Sequence, residues 1–267
     1  MKDQKTSKHS PIGIFDSGVG GLTVFREIRK VLPSEDLIYL GDTARVPYGS
    51  KSKDVIKRYS KQNAEFLLSK NVSMIVVACN TASAVSVQYL KELFSEIPIV
   101  GVIEPVVDYI KMLSLKKIAV LGTNTTIESG AYQKALLDKK DFEIFSQPCP
   151  LFVPLVEEGL FNDPITLIAL EMYLSKLKKT GMDAVILGCT HYPMLKKQIE
   201  KYFGERTIVF DTAHHTALRV AGLRKERAEM SQGQKGSEVF YVTDSAASFK
   251  KTAEMFLGYE ISNIHHI

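Results

Sequence analysis

Three cysteines stand in this chain, at positions 79, 149 and 189. Two of them have similar surroundings. Cys79 ends the apolar run at 74–78 and is followed by Asn80-Thr81-Ala82-Ser83. Cys189 ends the apolar run at 184–188 and is followed by Thr190-His191-Tyr192-Pro193. Each thiol is expected at a strand end and at the opening of a helix, where free N–H groups and the helix dipole favour a thiolate. An unperturbed thiol titrates near ~8.5, close enough to neutrality for modest tuning to make it an acid or a base. Two such groups facing each other can take a proton from one face of a carbon and return one to the other. That inverts a stereocentre without a cofactor. Cys149, between Pro148 and Pro150, is read as a buried packing thiol.

Removing a proton next to a carboxylate needs groups that stabilise the charge spreading onto that carboxylate. Ser17, Asn80, Thr81, Thr126 and Thr190 are of suitable type and position, although a Ser or Thr at such a place also serves as a helix cap. Asp16 precedes a glycine-rich stretch at 18, 20 and 21. It can poise a thiol, bind an ammonium group or simply close a loop. The stretch lacks GxGxxG spacing and a P-loop lysine, which argues against a nucleotide site. His191, two residues from Cys189, can tune that thiol or bond to backbone. A productive nucleophile–base pair at that spacing looks geometrically awkward, which counts against a cysteine hydrolase. No CxxC pair occurs, and His214, His215, His265 and His266 lack partners at metal spacing, so no metal site is expected and these histidines are read as surface or packing residues.

The elements that must position these groups follow from periodicity. Short apolar runs at 12–15, 37–40, 74–78, 99–102, 118–121, 142–145, 184–187, 208–210 and 239–242 read as strands. Amphipathic runs at 52–69, 82–94, 127–137, 164–179, 193–202 and 245–257 read as helices between them. Such alternation predicts an α/β protein with mainly parallel sheets flanked by helices. The continuous apolar run at 74–78 fits a strand covered on both faces. The polar clusters at 16–18, 42–43, 79–81, 123–126 and 189–191 all fall just after a strand, where ligands sit in open α/β sheets. An internal echo supports the pairing of the thiols. MIVVACNTAS at 74–83 resembles AVILGCTHYP at 184–193, and GIFDS at 13–17 resembles AVLGT at 119–123, at nearly the same offset. Two similar lobes are expected, one from 1–103 with 210–267 and one from 104–209, with the site in the cleft between them. Residues 229–237 have the composition of a flexible connection.

Bulk properties exclude several classes. A 267-residue chain with 45% hydrophobic and 24% charged residues is an ordinary globular composition, and a net charge of +4 is mild. No dense basic patch interleaved with aromatics suggests nucleic-acid binding, and no apolar run has membrane length. The polar start at 1–10 shows no secretion signal and reads as a loose tail. Sparse, odd-numbered cysteines fit a reducing compartment, so a cytoplasmic protein is expected.

Residues 16–21 (DSGVGG), Pro47-Tyr48-Gly49, Cys79-Asn80-Thr81-Ala82-Ser83 and Gly188-Cys189-Thr190-His191-Tyr192-Pro193 together resemble the signature blocks of bacterial glutamate racemases, in the expected order and over most of the chain. The resemblance implies that Cys189 takes the α-proton of L-glutamate and Cys79 returns one to the opposite face, with roles reversed for D-glutamate. It implies that Asp16 assists Cys79, and that His191 with Glu157 assists Cys189; a one-residue shift would put Glu158 in that place. It assigns substrate contacts to Asp16, Ser17, Asp42, Pro47, Tyr48, Gly49, Asn80, Thr81, Thr123, Thr126, Thr190 and His191. No cofactor, a homodimer and a role in supplying D-glutamate for peptidoglycan are implied as well. The alternatives are an aspartate, hydantoin or other amino-acid racemase with the same chemistry, and a relative that binds without turnover.

Overall fold

The computed structural model describes residues 10–137, 141–227 and 233–267. Its strands form two fully parallel sheets. The larger has six strands in the order β10 (Ile264–His266), β9 (Glu238–Val242), β2 (Leu37–Gly41), β1 (Ile12–Asp16), β3 (Met74–Val77) and β4 (Ile99–Gly101). The smaller has four: β6 (Glu143–Pro148), β5 (Lys117–Gly122), β7 (Ala184–Gly188) and β8 (Ile208–Asp211). Strands β1, β2, β3 and β7 are buried along their whole length. Continuous apolar runs give that result when helices cover both faces of a sheet.

The chain builds most of the larger sheet, crosses to the smaller one through α4 (Ile103–Lys111), and returns through α10 (Thr212–Glu226) to add β9 beside β2. Helix α10 packs on α1 (Leu22–Val31) and on α4, so the return path lies along the first helix of the chain. One apolar cluster runs through both halves, from Ile12 and Ile14 in β1 to Leu121, Val185 and Leu187 around β5 and β7. The remaining helices are α2 (Lys53–Ser69), α3 (Asn80–Leu93), α5 (Asn124–Glu128), α6 (Ala131–Leu137), α7 (Phe152–Glu157), α8 (Pro164–Thr180), α9 (Lys196–Phe203) and α11 (Ala246–Leu257).

Two expected helices are built differently. The run at 127–137 is divided, because Gly130 adopts φ +68° between α5 and α6. A left-handed residue ends one helix before the next begins. The run at 193–202 opens as a 3₁₀ turn, Tyr192–Leu195, and becomes α-helical only at Lys196. The short strand β10, too brief and too histidine-rich to stand out by pattern, completes the sheet edge.

The expected tail at 1–10 lies outside the described residues except for Ser10, as does the 229–232 part of the expected connection. The rest of that connection is tied down: Gly236 N–H donates to Pro33 O at 3.0 Å, and Ser237 donates to Asp36 from both its amide and hydroxyl at 2.7 Å. Polar composition marked it as flexible, but it runs into β9 and is held in register by these bonds.

Gly188 ends β7 immediately before Cys189. A Cβ there would fall 2.7 Å from the Leu121 carbonyl oxygen. Gly188→Ala therefore forces β5 and β7 apart and should cost about 1–3 kcal/mol, lowering the thermal midpoint by roughly 2–10 °C. Calorimetry on the variant checks this; an unchanged midpoint would contradict the tight strand contact.

Candidate active site

The carboxyl ends of both sheets meet at one small cavity. It measures about 50 Å³, and its walls include Ser17, Pro47, Tyr48, Gly49, Cys79, Asn80, Thr81, Thr123, Glu157, Cys189, Thr190 and His191. Both thiols thus open onto the same space from different sheets.

Cys79 follows β3 and caps α3, its sulfur accepting the Ala82 N–H at 3.5 Å. Its Sγ also lies 3.7 Å from Ser17 Oγ. The helix end was expected to favour a thiolate. Burial instead pushes Cys79 up to about 12, and the nearby Asp16 charge adds to the effect; the Ala82 and Ser17 bonds only partly offset it. At neutral pH Cys79 is therefore a thiol. Asp16 is itself fully buried, and burial raises its carboxyl while His191 opposes that rise. Its Oδ2 accepts the Gly18 N–H at 2.9 Å, and Thr190 Oγ1 lies 3.5 Å from its Oδ1. Tyr39 supports the same loop by donating to Gly18 O at 2.7 Å.

Cys189 does not open an α-helix. It sits in a turn, with the Tyr192 N–H on its carbonyl at 3.1 Å, ahead of the 3₁₀ segment. The partner of this thiol is His191, whose Nδ1 lies 3.9 Å from Cys189 Sγ. The spacing that looked awkward is workable because the turn brings the imidazole nitrogen within 3.9 Å of the sulfur. His191 Nε2 meets Glu157 Oε1 at 2.8 Å. Burial alone would lower His191, but its hydrogen bonds to Cys189 and Glu157 and their charges outweigh it, raising the imidazole from 6.5 to about 10. The ring is held edge-on against Phe256, centroids 5.5 Å apart. Glu157, at the end of α7, makes this contact and lines the cavity; Glu158 does neither.

Three expected substrate contacts lie behind the wall. Asp16 is beneath the loop just described. Thr126 is turned into a ring of hydroxyls: Thr81 Oγ1 is 2.9 Å from Thr123 Oγ1 and 3.0 Å from Thr126 Oγ1, with Thr123 and Thr126 2.9 Å apart. Asp42 is fully buried and accepts from Arg45 Nε at 2.7 Å, from Thr243 Oγ1 at 3.1 Å and from the Tyr48 hydroxyl. Asn63 Nδ2 donates to that same Tyr48 oxygen at 3.1 Å, and Arg45 Nη2 donates to Asn63 Oδ1 at 3.1 Å. The Tyr48 hydroxyl is thus committed to the network behind it, and Tyr48 faces the cavity with the rest of its structure. Sequence reading did not single out Val46 and Val153 in the wall, nor Arg45, Asn63 and Tyr39 behind it. Val153 stands one helical turn before Glu157 on α7, a spacing that would have revealed it.

Cys149 is buried away from this cavity, its Sγ 3.6 Å from Gln147 O. Among the described residues no group of three His, Cys, Asp or Glu side chains is placed to hold a metal, and no helix is long and apolar enough to cross a membrane.

Residues 12–219 match the family model of the Asp/Glu/Hydantoin racemases. The chain belongs to this family. It is 46% identical to the glutamate racemase of Persephonella marina over 94% of each chain. It superposes on a glutamate racemase isoform of Bacillus anthracis with a TM-score of 0.93 at 38% identity, covering 98% of both chains. The glutamate racemase of Francisella tularensis, solved in complex with D-glutamate, gives a TM-score of 0.92 at 36% identity, again over 98% of both chains. Family membership makes the chain an isomerase and gives the two-lobed α/β architecture its context.

Two outcomes follow from the Cys189 side of the cavity. A Cβ on Gly20 would fall 2.4 Å from Thr190 Oγ1 and 2.5 Å from His191 Nδ1. Gly20→Ala should displace the imidazole from Cys189 and reduce kcat by about 10²-fold, the scale of losing an acid–base group's alignment; activity near the parent's would show that the turn yields without cost. The second outcome concerns pH. A histidine raised in the folded state stabilises the fold fully below its unfolded value of 6.5, and that stabilisation is lost as pH rises through about 10. The stability difference between the parent and Glu157→Gln, read by urea unfolding, should close over that interval. A difference that widens with pH would contradict the His191–Glu157 contact.

Proposed function

We propose that this chain interconverts L- and D-glutamate without a cofactor, using Cys79 and Cys189 as opposed acid and base. The observation that carries the reading is the placement of the two thiols in one cavity, on strand ends of different sheets, with unequal surroundings. Cys79, held up at about 12, is poised to give a proton. Cys189 has the His191 imidazole 3.9 Å from its sulfur, raised to about 10 and so cationic at neutral pH, and we assign Cys189 to take a proton.

Starting from L-glutamate, the Cα–H bond breaks and its proton passes to Cys189 sulfur. The electron pair spreads onto the α-carboxylate as an enediolate. Cys79 then delivers its proton to the opposite face, and the C–H bond re-forms inverted. The two sulfurs have exchanged protonation states, so the same steps run backwards from D-glutamate. Ser17, Asn80, Thr81, Thr123 and Thr190 supply amide and hydroxyl groups around the developing charge. Asp16 acts on Cys79 through its charge, and Glu157 acts on Cys189 through His191. Asp42 and Thr126 act through the groups they hold in place. The Pro47-Tyr48-Gly49 wall completes the substrate cavity.

The closed cavity of about 50 Å³ is small for this substrate. Benzene, a smaller molecule, occupies a cavity of about 150 Å³. Entry therefore requires the two lobes, bounded near residues 103 and 210, to part. The wider setting we assign is a cytoplasmic homodimer that supplies D-glutamate for peptidoglycan.

Each enantiomer, incubated alone with enzyme dialysed against chelator and free of pyridoxal phosphate, should lose its optical rotation at the parent rate. A requirement for either additive would refute the two-thiol reading, and binding without turnover would favour a non-catalytic relative. Across pH the rate should pass through a maximum and fall on the alkaline side as His191 loses its proton near 10; the apparent values belong to the coupled pair. The sharper test uses each single serine variant. Cys79→Ser and Cys189→Ser should each lose about 10²–10⁴-fold in racemisation, since a hydroxyl is a far weaker acid or base. Given a glutamate with a leaving group on the β carbon, each variant still needs only one base to eliminate it. Opposite enantiomer preferences in the two variants are expected; identical preferences would remove the assignment of one thiol to each face.

A further inference from the structure

Pro193 leaves a gap in the turn that carries Cys189. In a 3₁₀ or α turn the carbonyl of Thr190 would accept the N–H of residue 193 or 194. Residue 193 is proline and has no N–H. The Met194 amide is already spent, donating to His191 O at 3.1 Å. Thr190 is buried, so its carbonyl needs a partner that water does not readily supply.

Among the described residues that partner comes from the other lobe. Thr23, buried in the first turn of α1, donates its hydroxyl to Thr190 O at 3.1 Å. A second acceptor is in range, Gly20 O at 3.0 Å. That carbonyl already receives the Thr23 amide at 3.1 Å. A hydroxyl has one proton to give, and the Thr190 carbonyl is the acceptor that lacks another donor. When the lobes part, the Gly20 carbonyl remains as a fallback, so the hydroxyl is never stranded. Gly20 and Asp16 meet the same turn: Gly20 lies against Thr190 and His191, and Asp16 faces the Thr190 hydroxyl.

The geometry points to Thr23 as a positioning residue that fixes the Cys189–Thr190–His191 turn of one lobe against α1 of the other, and thereby sets the reach of Cys189 toward a carbon held near Cys79. Thr23 does not line the cavity. The inference rests on the two-thiol reading of the site. It adds a reason for the pairing of Thr23 with Pro193: the proline creates an orphan carbonyl, and only lobe closure satisfies it.

Thr23→Val keeps the shape of the side chain and removes the donor. In the full-length enzyme it should lower kcat about tenfold in both directions, with KM within about twofold, because the base is misaligned while the cavity wall built from Ser17, Tyr48, Asn80 and Thr81 stays in place. Thr23→Ser should return kcat to within about threefold of the parent, since the donor is restored. Pro193→Ala gives the turn its own N–H for Thr190 O, so in that background Thr23→Val should cost less than about threefold. Should Thr23→Val not fold, Thr23→Ala takes its place in both backgrounds with the same expected pattern. A valine variant with a lower melting temperature but the parent's kcat would make Thr23 a packing residue and overturn the proposal, as would equal losses with and without Pro193. Failure of the underlying reading would show elsewhere, as racemisation by Cys189→Ser.

Discussion

Two thiols buried in one small cavity cannot ionise as they would in water. Removing water disfavours every thiolate, so a thiol that is to act as a base needs a cation beside it, and one that is to act as an acid needs none. The rest of the site follows from this constraint. Cys79 receives a carboxylate neighbour and a weak sulfur-to-amide bond, and it stays protonated up to about 12. Cys189 receives an imidazole that its contacts with Cys189 and Glu157 together raise to about 10. One cavity thus holds two side chains of the same type, told apart by what lies behind each sulfur.

Holding those unlike surroundings close together is the work of the lobe contact. The hydroxyl ring of Thr81, Thr123 and Thr126 joins α3 of one half to the turn after β5 of the other. The Tyr132 hydroxyl donates to Asn80 Oδ1 at 2.6 Å, and the Thr125 hydroxyl donates to Gly49 O at 2.8 Å. These bonds flank Cys79, while Thr23 and Asp16 meet the turn beside Cys189. Nearly all are made by neutral hydroxyls, whose bonds exchange readily with water and each contribute modestly to stability. A contact built this way can close tightly enough to exclude solvent and still open for a substrate.

Much of this protein is legible in residue type and spacing. Apolar runs such as 74–78 and 184–187 located the parallel strands, because a strand covered on both faces has no polar side to show. The polar groups just after them named Cys79, Cys189, Ser17, Asn80, Thr81, Thr123 and Thr190, all of which stand at the cavity. The echo between the two cysteine blocks carried the pairing of the thiols. Local chemistry also misled in places. Helix position suggested a thiolate at Cys79, and residue spacing made a close Cys189–His191 pair look awkward. Burial decided the first against the helix end, and the turn at 189–192 decided the second.

Tertiary structure alone settled which residues face the cavity and which stand behind it. Asp42 and Thr126 have the same polar character as Ser17 and Thr123, but their oxygens are taken by Arg45, Tyr48 and Thr243 in one case and by neighbouring hydroxyls in the other. Glu157 is distinguished from Glu158 only by the direction in which the end of α7 points it. Val46, Asn63 and Thr23 carried no local mark, because their roles come from segments far away in the chain. Residue type and spacing report what a side chain can do where it stands. Burial, charge and hydrogen-bond supply depend on what the fold brings from elsewhere, and those three quantities fix which group holds the proton.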